Sequence, residues 1–282
     1  MTADASAQVR SLKVTAGGVA DRDRCIPQEV PIALVYDGTT YAVMMASPSD
    51  LEDFAVGFSL AEGIVATPQE IESFEVAEQS NGIELRMWLA AHRRRDLAEK
   101  RRRLAGPTGC GLCGVESLDA ALPACPHVAA ELTVTAQDIA TALAALEPAQ
   151  ALNRQTHAVH GAGFWTKAQG LVALAEDVGR HNALDKLMGA LRRAQVSAAD
   201  GIVLLTSRVS VEMVQKAAVA GAPIIVAMSV PTALALKTAE AAGITLIAVA
   251  RADGFEVFTH PHRLALHAPE RAKRGSVTQH AT

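Results

Sequence analysis

The last third of the sequence alternates short apolar runs with helical segments, and this alternation limits the possible folds more than any other feature. The apolar runs predict four buried strands, at residues 171–177, 201–206, 223–228 and 244–250. The segments between them predict three helices, at residues 183–194, 211–220 and 233–242. Apolar strands that alternate with helices are typical of a parallel or mostly parallel sheet covered on both faces. The sequence therefore predicts the α/β class for this region.

The first part of the chain carries different signals. Residues 1–24 are polar and charged, and we expect a flexible leader there. Apolar residues on both sides of the Asp37-Gly38 pair predict a β-hairpin, because this pair suits a tight type I′ turn. A helix is predicted to begin at Ser49 or Asp50, either of which can cap its first turn, and to run to about residue 62.

Composition excludes several classes of function. No run of about 18 apolar residues occurs, so we expect no membrane span. The net charge of −4 argues against a general nucleic-acid binder, and an aromatic content of 4% argues against base-stacking surfaces. Four cysteines without a secretory signal do not make a disulfide framework, and they fit a reducing, cytoplasmic setting.

Residues 92–104 form a basic run, with seven Arg or Lys residues against two acids. Charge runs of this kind are usually a solvated helix face, which the pairs Asp96–Lys100 and Glu99–Arg103 at i,i+4 would support. The alternative is a basic surface next to an anionic ligand or an acidic partner. The sequence leaves both interpretations open.

Three polar loops follow the predicted strands, at residues 176–182, 206–210 and 229–232. Ligands of open α/β sheets bind beyond the carboxyl ends of the strands, and helix N-termini there favour phosphate groups. Arg180 and Arg208 can add bidentate contacts to phosphate. The three loops together predict a pocket for an anionic small molecule.

Other polar residues of these loops have two interpretations. Ser207, Ser210 and Ser229 can serve the ligand or can merely cap helices, and Asp177 can merely orient its loop. His181 lies between Arg180 and Asn182 in the sequence and is a candidate for ligand contact or proton handling.

Cys110 and Cys113 form a Cys-x-x-Cys pair between glycines. Three kinds of chemistry compete for it. A zinc site would recruit Cys125 and His127, although the spacing matches no common pattern. A thioredoxin-like redox pair would need a strand-to-helix context that is not evident. A nucleophilic or persulfide-carrying cysteine fits the Gly-rich loop and the neighbouring arginines, since positive charge favours the thiolate.

Taken together, the motifs resemble the FdhD family, the sulfur carriers needed to make formate dehydrogenase active. The two most specific motifs are Cys110-Gly-Leu-Cys-Gly114 and Glu176-Asp-Val-Gly-Arg-His-Asn-Ala-Leu-Asp-Lys186. The other matching segments are 29–31, 47–57, 61–64, 212–216, 231–232 and 255–260, together with His160. The resemblance covers residues 24 to 262.

The resemblance implies a cytidine-deaminase-like three-layer α/β/α sheet with a smaller α+β subdomain. The corresponding domains are a flexible leader (1–24), the smaller subdomain (25–105), the larger α/β domain with the cysteine loop at its start (106–265) and a flexible tail (266–282). Insertion of the smaller subdomain within the larger one stays open.

The resemblance also implies a cytoplasmic sulfurtransferase. A cysteine desulfurase would load a persulfide on Cys110, Cys113 would assist, and the sulfur would pass to a molybdenum bis(molybdopterin guanine dinucleotide) cofactor before insertion into formate dehydrogenase, the client. A guanine nucleotide would mimic part of that cofactor, and no resident metal is expected. A homodimer is compatible with this family. The cofactor-binding residues would be Phe255, Glu256, Val257, Phe258, Thr259 and His260, joined by Arg180, His181, Ser207, Arg208 and Ser229.

Two rival functions stay open. A non-catalytic chaperone would hold the molybdenum cofactor in the same pocket and would tolerate loss of Cys110. A general thiol oxidoreductase would cycle a Cys110–Cys113 disulfide and need no nucleotide.

Overall fold

A computed structural model describes residues 4–103 and 125–265 of the chain. Its first element is an antiparallel hairpin of two strands, β1 (Ser6–Thr15) and β2 (Gly18–Pro27). The expectation of a leader without regular structure is therefore wrong for these residues. The strands are mostly exposed and polar, so they lack the apolar alternation that normally identifies a strand. The signal available in the sequence was the Gly17-Gly18 pair at the turn, where Gly18 has a φ of 134°.

A smaller unit follows, built on a four-stranded sheet in the order β4–β3–β6–β5. Its strands are β3 (Val30–Tyr36), β4 (Thr39–Ala46), β5 (Ile71–Gln79) and β6 (Gly82–Leu89). Asp37 and Gly38 both have positive φ, 49° and 77°, which confirms the predicted hairpin turn. Helix α1 (Leu51–Ala61) packs Phe54 and Phe58 into the core of this sheet.

The basic run lies in helix α2 (Ala91–Arg103). Arg93 pairs with Glu70 at 2.9 Å, and Arg94 pairs with Asp37 at 3.1 Å. These arginines therefore tie the start of α2 to the small sheet, which favours a structural role for this part of the run.

The larger unit contains a six-stranded sheet in the order β13–β12–β11–β10–β8–β9. Its strands are β8 (His160–Thr166), β9 (Gly170–Asp177), β10 (Ile202–Leu205), β11 (Ile224–Ala227), β12 (Thr245–Arg251) and β13 (Gly254–Val257). Strands β10, β11 and β12 are parallel, whereas β8 and β13 run against their neighbours. A separate parallel pair joins β7 (Val134–Thr135) to β14 (Leu264–Ala265). The four strands predicted in this region are confirmed.

Helices cover both faces of the six-stranded sheet. Helices α5 (Arg180–Arg193), α6 (Val211–Ala220) and α7 (Ala233–Ala242) enclose one apolar core. Helix α3 (Ala136–Ala149) packs on the opposite face and is followed by the short α4 (Ala151–Thr156). Short 3-10 turns occur at Pro68–Glu70, Ala198–Asp200 and Pro261–Arg263. The predicted three-layer α/β/α arrangement beside a smaller α+β unit is confirmed.

The two units meet where α1 crosses α5. A Cβ atom on Gly57 of α1 would lie 1.8 Å from the Asp185 carbonyl oxygen, and one on Gly189 of α5 would lie 1.9 Å from the Asp53 carbonyl oxygen. Backbones can approach this closely only where both helices carry glycine. The glycine pair therefore sets the distance between the small unit and the large sheet.

We expect Gly57→Ala to destabilise the protein by roughly 3 kcal/mol or more, because the new methyl group meets backbone that cannot move aside locally. Urea unfolding followed by circular dichroism measures this change. Gly254→Ala is the matched control, since no atom lies within 4 Å of the added Cβ and its φ is not in the left-handed region. Equal stability of the two variants would contradict this account of the helix crossing.

Candidate functional site

The loops after β9, β10 and β11 lie on the side of the large sheet where these strands have their carboxyl ends. We call this side the loop edge. Strand β9 pairs antiparallel with β8, which pairs antiparallel with β10, so β9 points in the same direction as β10 to β12. Strand β8 runs the other way and therefore places its first residue, His160, at this edge. The loops are also bonded to one another: Val209 N–H donates to the Val230 carbonyl, and Thr232 N–H donates to the Val209 carbonyl. The structure thus brings together the three loops that the sequence singled out.

Asp177, at the end of β9, is fully buried and accepts four hydrogen bonds. Its Oδ2 accepts from Lys186 Nζ at 2.6 Å and from Ser47 N–H at 2.9 Å. Its Oδ1 accepts from Gly179 N–H at 2.7 Å and from Asn182 Nδ2 at 3.0 Å. Both carboxylate oxygens are occupied, so Asp177 orients its loop and is not directed at a ligand.

The same network joins the two units of the fold. Lys186 Nζ, fully buried, also donates to the Ser47 carbonyl at 2.9 Å. Asn182 Nδ2 donates to the Met45 carbonyl at 2.9 Å, and Ser47 Oγ accepts from Val178 N–H at 3.2 Å. The end of β4 in the small unit therefore supports the loop between β9 and α5.

Four nitrogen-bearing side chains cluster at this edge: His160, Arg180, His181 and Arg208. Burial, reinforced by Arg180 and Arg208, lowers the pKa of His160 despite the opposing charge of Asp177. Burial, Arg180 and Lys216 lower the pKa of His181 to about 4. Both imidazoles are therefore neutral near pH 7, and the two guanidinium groups supply the positive charge of the site.

Glu212, in the first turn of α6, is a site residue that we did not single out from the sequence. His181 Nε2 lies 3.5 Å from Ser210 Oγ and 3.9 Å from Glu212 Oε2. Burial alone would raise the pKa of Glu212, but hydrogen bonds to Ser210 and to its own backbone, together with His181 and Arg180, hold it below its usual value. The available signal was its place in the matched segment 212–216.

Lys216, one turn after Glu212 in α6, is paired with an acid of α5. Its Nζ donates to both carboxylate oxygens of Asp185, at 2.7 and 2.9 Å, and lies 5.9 Å from the centre of the Phe58 ring. Burial raises the pKa of Asp185 to about 6, although Lys216 opposes the shift. This pair lies beside the crossing of α1 and α5 and has a structural role.

The serines of the loops do not act as the caps that the sequence suggested. Ser207 Oγ donates to the Arg208 carbonyl at 3.0 Å, and Ser210, the N-cap of α6, makes no capping bond with its side chain. The cap of α7 is Thr232, whose Oγ1 accepts from Ala235 N–H. Ser229 is half-buried, and its carbonyl accepts from Val249 N–H. The hydroxyls of Ser207, Ser210 and Ser229 are thus not committed to helix caps.

The C-terminal segment predicted to bind cofactor, residues 255–260, lies apart from the cationic cluster. Phe255, Glu256 and Val257 belong to β13, at the opposite end of the strand order from β9. Five strand spacings separate β13 from β9, about 24 Å. Because β13 runs antiparallel to β12, the segment also leads away from the edge that carries the polar loops.

The end of this segment is fixed to the start of β12, on the side of the sheet opposite the loop edge. Thr259 is buried; its Oγ1 accepts from Leu246 N–H at 2.9 Å and donates to the Ile244 carbonyl at 2.7 Å. His260 Nε2 donates to the Glu240 carbonyl at 2.8 Å. Phe258 alone of these three is exposed, with 37% of its surface accessible. A single copy of the chain does not gather Thr259 and His260 with Arg180 and Arg208.

Cys110 and Cys113 lie outside the described residues, as does the predicted flexible tail, 266–282. The other two cysteines, Cys25 and Cys125, are free thiols and half-buried. Burial raises the pKa of Cys125, which makes it a poor nucleophile. Among the helices of the described residues, none is long and apolar enough to cross a membrane.

Comparison with known proteins gives consistent matches. A model of the FdhD/NarQ family matches residues 27–265. A protein of Agrobacterium fabrum named sulfur carrier protein FdhD is 52% identical over 251 residues, which cover 89% of this chain and 93% of the relative. A Brucella abortus protein of the same name is 52% identical over 260 residues, covering 92% and 97%. A crystal structure of a formate dehydrogenase accessory protein from Desulfotalea psychrophila superposes with a TM-score of 0.72 at 27% identity, covering 93% of this chain and all of that one.

We expect Asp177→Asn to destabilise the folded protein by about 3–5 kcal/mol, because it leaves the charge of Lys186 buried without its partner. Denaturant unfolding of the variant measures the loss. Asp53→Asn is the matched control: Asp53 also forms an ion pair, with Arg193, but at a more exposed position, and loss of that pair should cost under about 1 kcal/mol. A small effect at Asp177 would refute its role as the support of the loop.

The low pKa of His181 predicts a dependence of stability on pH. The unfolded chain protonates this side chain near pH 6.5, the folded protein only near pH 4, so the folded state loses stability as pH falls from about 6.5 towards 4. We expect His181→Gln to lose about 2 kcal/mol less than the wild type between pH 7 and pH 5. Urea unfolding at both pH values gives the difference. An NMR titration of the wild-type ring with a midpoint above pH 6 would contradict the assignment.

Proposed function

The chain belongs to the FdhD/NarQ family, and from that premise we propose that it carries sulfur in the maturation of formate dehydrogenase. The observation that carries this proposal is the 52% identity, over nine-tenths of both chains, with proteins named sulfur carrier protein FdhD. The match to a formate dehydrogenase accessory protein supports formate dehydrogenase as the client. We place its action in the cytoplasm, which fits a chain with four cysteines and no disulfide framework.

The sulfur enters, in this proposal, from the persulfide of a cysteine desulfurase. The thiolate of Cys110 attacks the outer sulfur of that persulfide, a new S–S bond forms, and the desulfurase cysteine leaves as a thiolate. Arginines 101–103 precede the cysteine loop in the sequence, and positive charge of this kind favours the thiolate form of Cys110. Cys110 is therefore the catalytic residue of the proposal.

The sulfur leaves when the thiolate of Cys113 attacks the inner sulfur of the Cys110 persulfide. The outer sulfur departs as hydrosulfide to the molybdenum bis(molybdopterin guanine dinucleotide) substrate, and a Cys110–Cys113 disulfide remains. A thiol reductant of the cell returns both cysteines to the reduced form, so electrons balance over the cycle. The loaded cofactor then passes to formate dehydrogenase.

The cationic edge of the sheet supports a site for the phosphates of this substrate. Arg180 and Arg208 bring two guanidinium groups to the loops, and the hydroxyls of Ser207 and Ser229 are not used as helix caps. Neutral His181 can donate or accept a hydrogen bond there. The segment 255–260 would contact another part of a long ligand, or would meet this edge across a homodimer. A guanine nucleotide would occupy the phosphate part of the site.

A cofactor chaperone without sulfur chemistry is the second candidate, because the cationic edge does not depend on the cysteines. It predicts that Cys110→Ala still supports formate dehydrogenase maturation. A general thiol oxidoreductase, the third, gives no reason for the two arginines at the loop edge.

We expect intact-protein mass spectrometry to detect the added sulfur after incubation of the chain with a cysteine desulfurase and cysteine. Wild type should gain the mass of one sulfur atom, and Cys110→Ala should gain none, because the accepting thiolate is missing. Cys113→Ala is the matched control: it should gain sulfur but fail to complete repeated transfer. Sulfur uptake by Cys110→Ala, or none by any variant, would exclude the proposed carrier chemistry.

A further inference from the structure

Three buried side-chain polar atoms have no hydrogen-bond partner within the described part of the chain: Gln150 Nε2, Arg180 Nε and Glu212 Oε2. A buried donor or acceptor without a partner costs free energy, and native proteins rarely leave one. Arg180 Nε and Glu212 Oε2 belong to different elements, α5 and α6, and both flank His181. This combination of one unused donor and one unused acceptor indicates a ligand with both kinds of partner.

The charges of the site restrict that ligand. Arg180 and Arg208 are positive, His160 and His181 are neutral at pH 7, and Lys216 is already paired with Asp185. The anionic part of a ligand is therefore drawn to the arginines. Glu212 is ionised and acceptor-only, so its free oxygen repels phosphate and needs a donor group.

The donor that fits a carboxylate best is a pair of neighbouring N–H groups. The amino-oxopyrimidine edge of guanine provides them, in a ring N–H beside an exocyclic NH2, and the pterin ring carries the same edge. In adenine the amino group lies beside a ring nitrogen that accepts hydrogen bonds, and a carboxylate repels that nitrogen. Phosphates on the arginines and this edge on Glu212 would satisfy both unused atoms.

We propose that Glu212 Oε2 accepts hydrogen bonds from the amino-oxopyrimidine edge of the bound ligand and so selects guanine or pterin over adenine. The identity of the ligand rests on the proposed function, which includes a cofactor with guanine and pterin groups. The selection itself rests on the unpartnered carboxylate oxygen and the cationic loops around it.

The test is isothermal titration calorimetry of the full chain with GDP, IDP, XDP, ADP and free pterin. Wild type should bind GDP more tightly than IDP, which lacks the 2-amino group, and than ADP. Glu212→Gln should weaken the binding of GDP by about tenfold or more and strengthen the binding of XDP, because the amide can donate to the 2-oxo group of xanthine. Glu131→Gln, an exposed glutamate away from the site, is the control and should bind as wild type does.

The gain of XDP affinity separates recognition from misfolding, since a damaged protein gains no ligand. Weakening of GDP, of pterin or of both in Glu212→Gln supports the proposal and identifies which end of the cofactor the site takes. Equal weakening of GDP and ADP would assign Glu212 to the ribose and overturn it, as would unchanged binding of GDP and pterin. Wild type that binds none of these probes also overturns it, while sulfur loading of the same wild-type sample reports on the carrier function separately.

Discussion

The buried ion pair between Asp177 and Lys186 is the interaction on which the loop edge depends. Removing both charges from water is costly, and the attraction between them offsets that cost only when the remaining hydrogen-bonding positions are filled. Here they are filled by backbone and amide groups of two units: Ser47 from the small sheet, Gly179 and Asn182 from the loop. Separation of the units would take the Ser47 N–H away from Asp177 and the Ser47 carbonyl away from Lys186. Through the pair, the packing of the small unit on the large one fixes the position of the loop after β9.

This arrangement also explains why the neighbouring residues can serve a ligand. The segment from Asp177 to Lys186 contains two kinds of residue. Asp177, Asn182 and Lys186 point inward and bind the small unit. Arg180 and His181 lie next to each other at the loop edge. A short loop whose Gly179 and Asn182 both donate to the Asp177 carboxylate has little freedom to reorient. The cationic groups are thus preorganised, which reduces the entropy lost when an anionic ligand binds.

The sequence was sufficient for the parts of the fold that follow from local patterns. Uniformly apolar runs identified β9 to β12, and Asp37-Gly38 identified the turn between β3 and β4, because each depends on residues adjacent in the chain. The hairpin of β1 and β2 was missed because neither strand buries a face. The inward direction of Asp177 could not be predicted, since its partner Ser47 lies 130 residues away. Glu212 was missed for a related reason: its role depends on His181, from another helix.

The placement of residues 255–260 constrains the ligand more than any residue type does. As part of an edge strand, this segment lies about 24 Å from the end of β9 and runs towards the opposite edge of the sheet. Arg208 and Ser229 follow β10 and β11, which lie between the two. A mononucleotide is too short to contact both Arg180 and β13 in one copy of the chain, whereas the cofactor proposed above has two guanine dinucleotide arms and could extend along the loops after β10 and β11. If residues 255–260 share a ligand with Arg180, as proposed above, the order of the strands therefore requires either an extended ligand or a second copy of the chain.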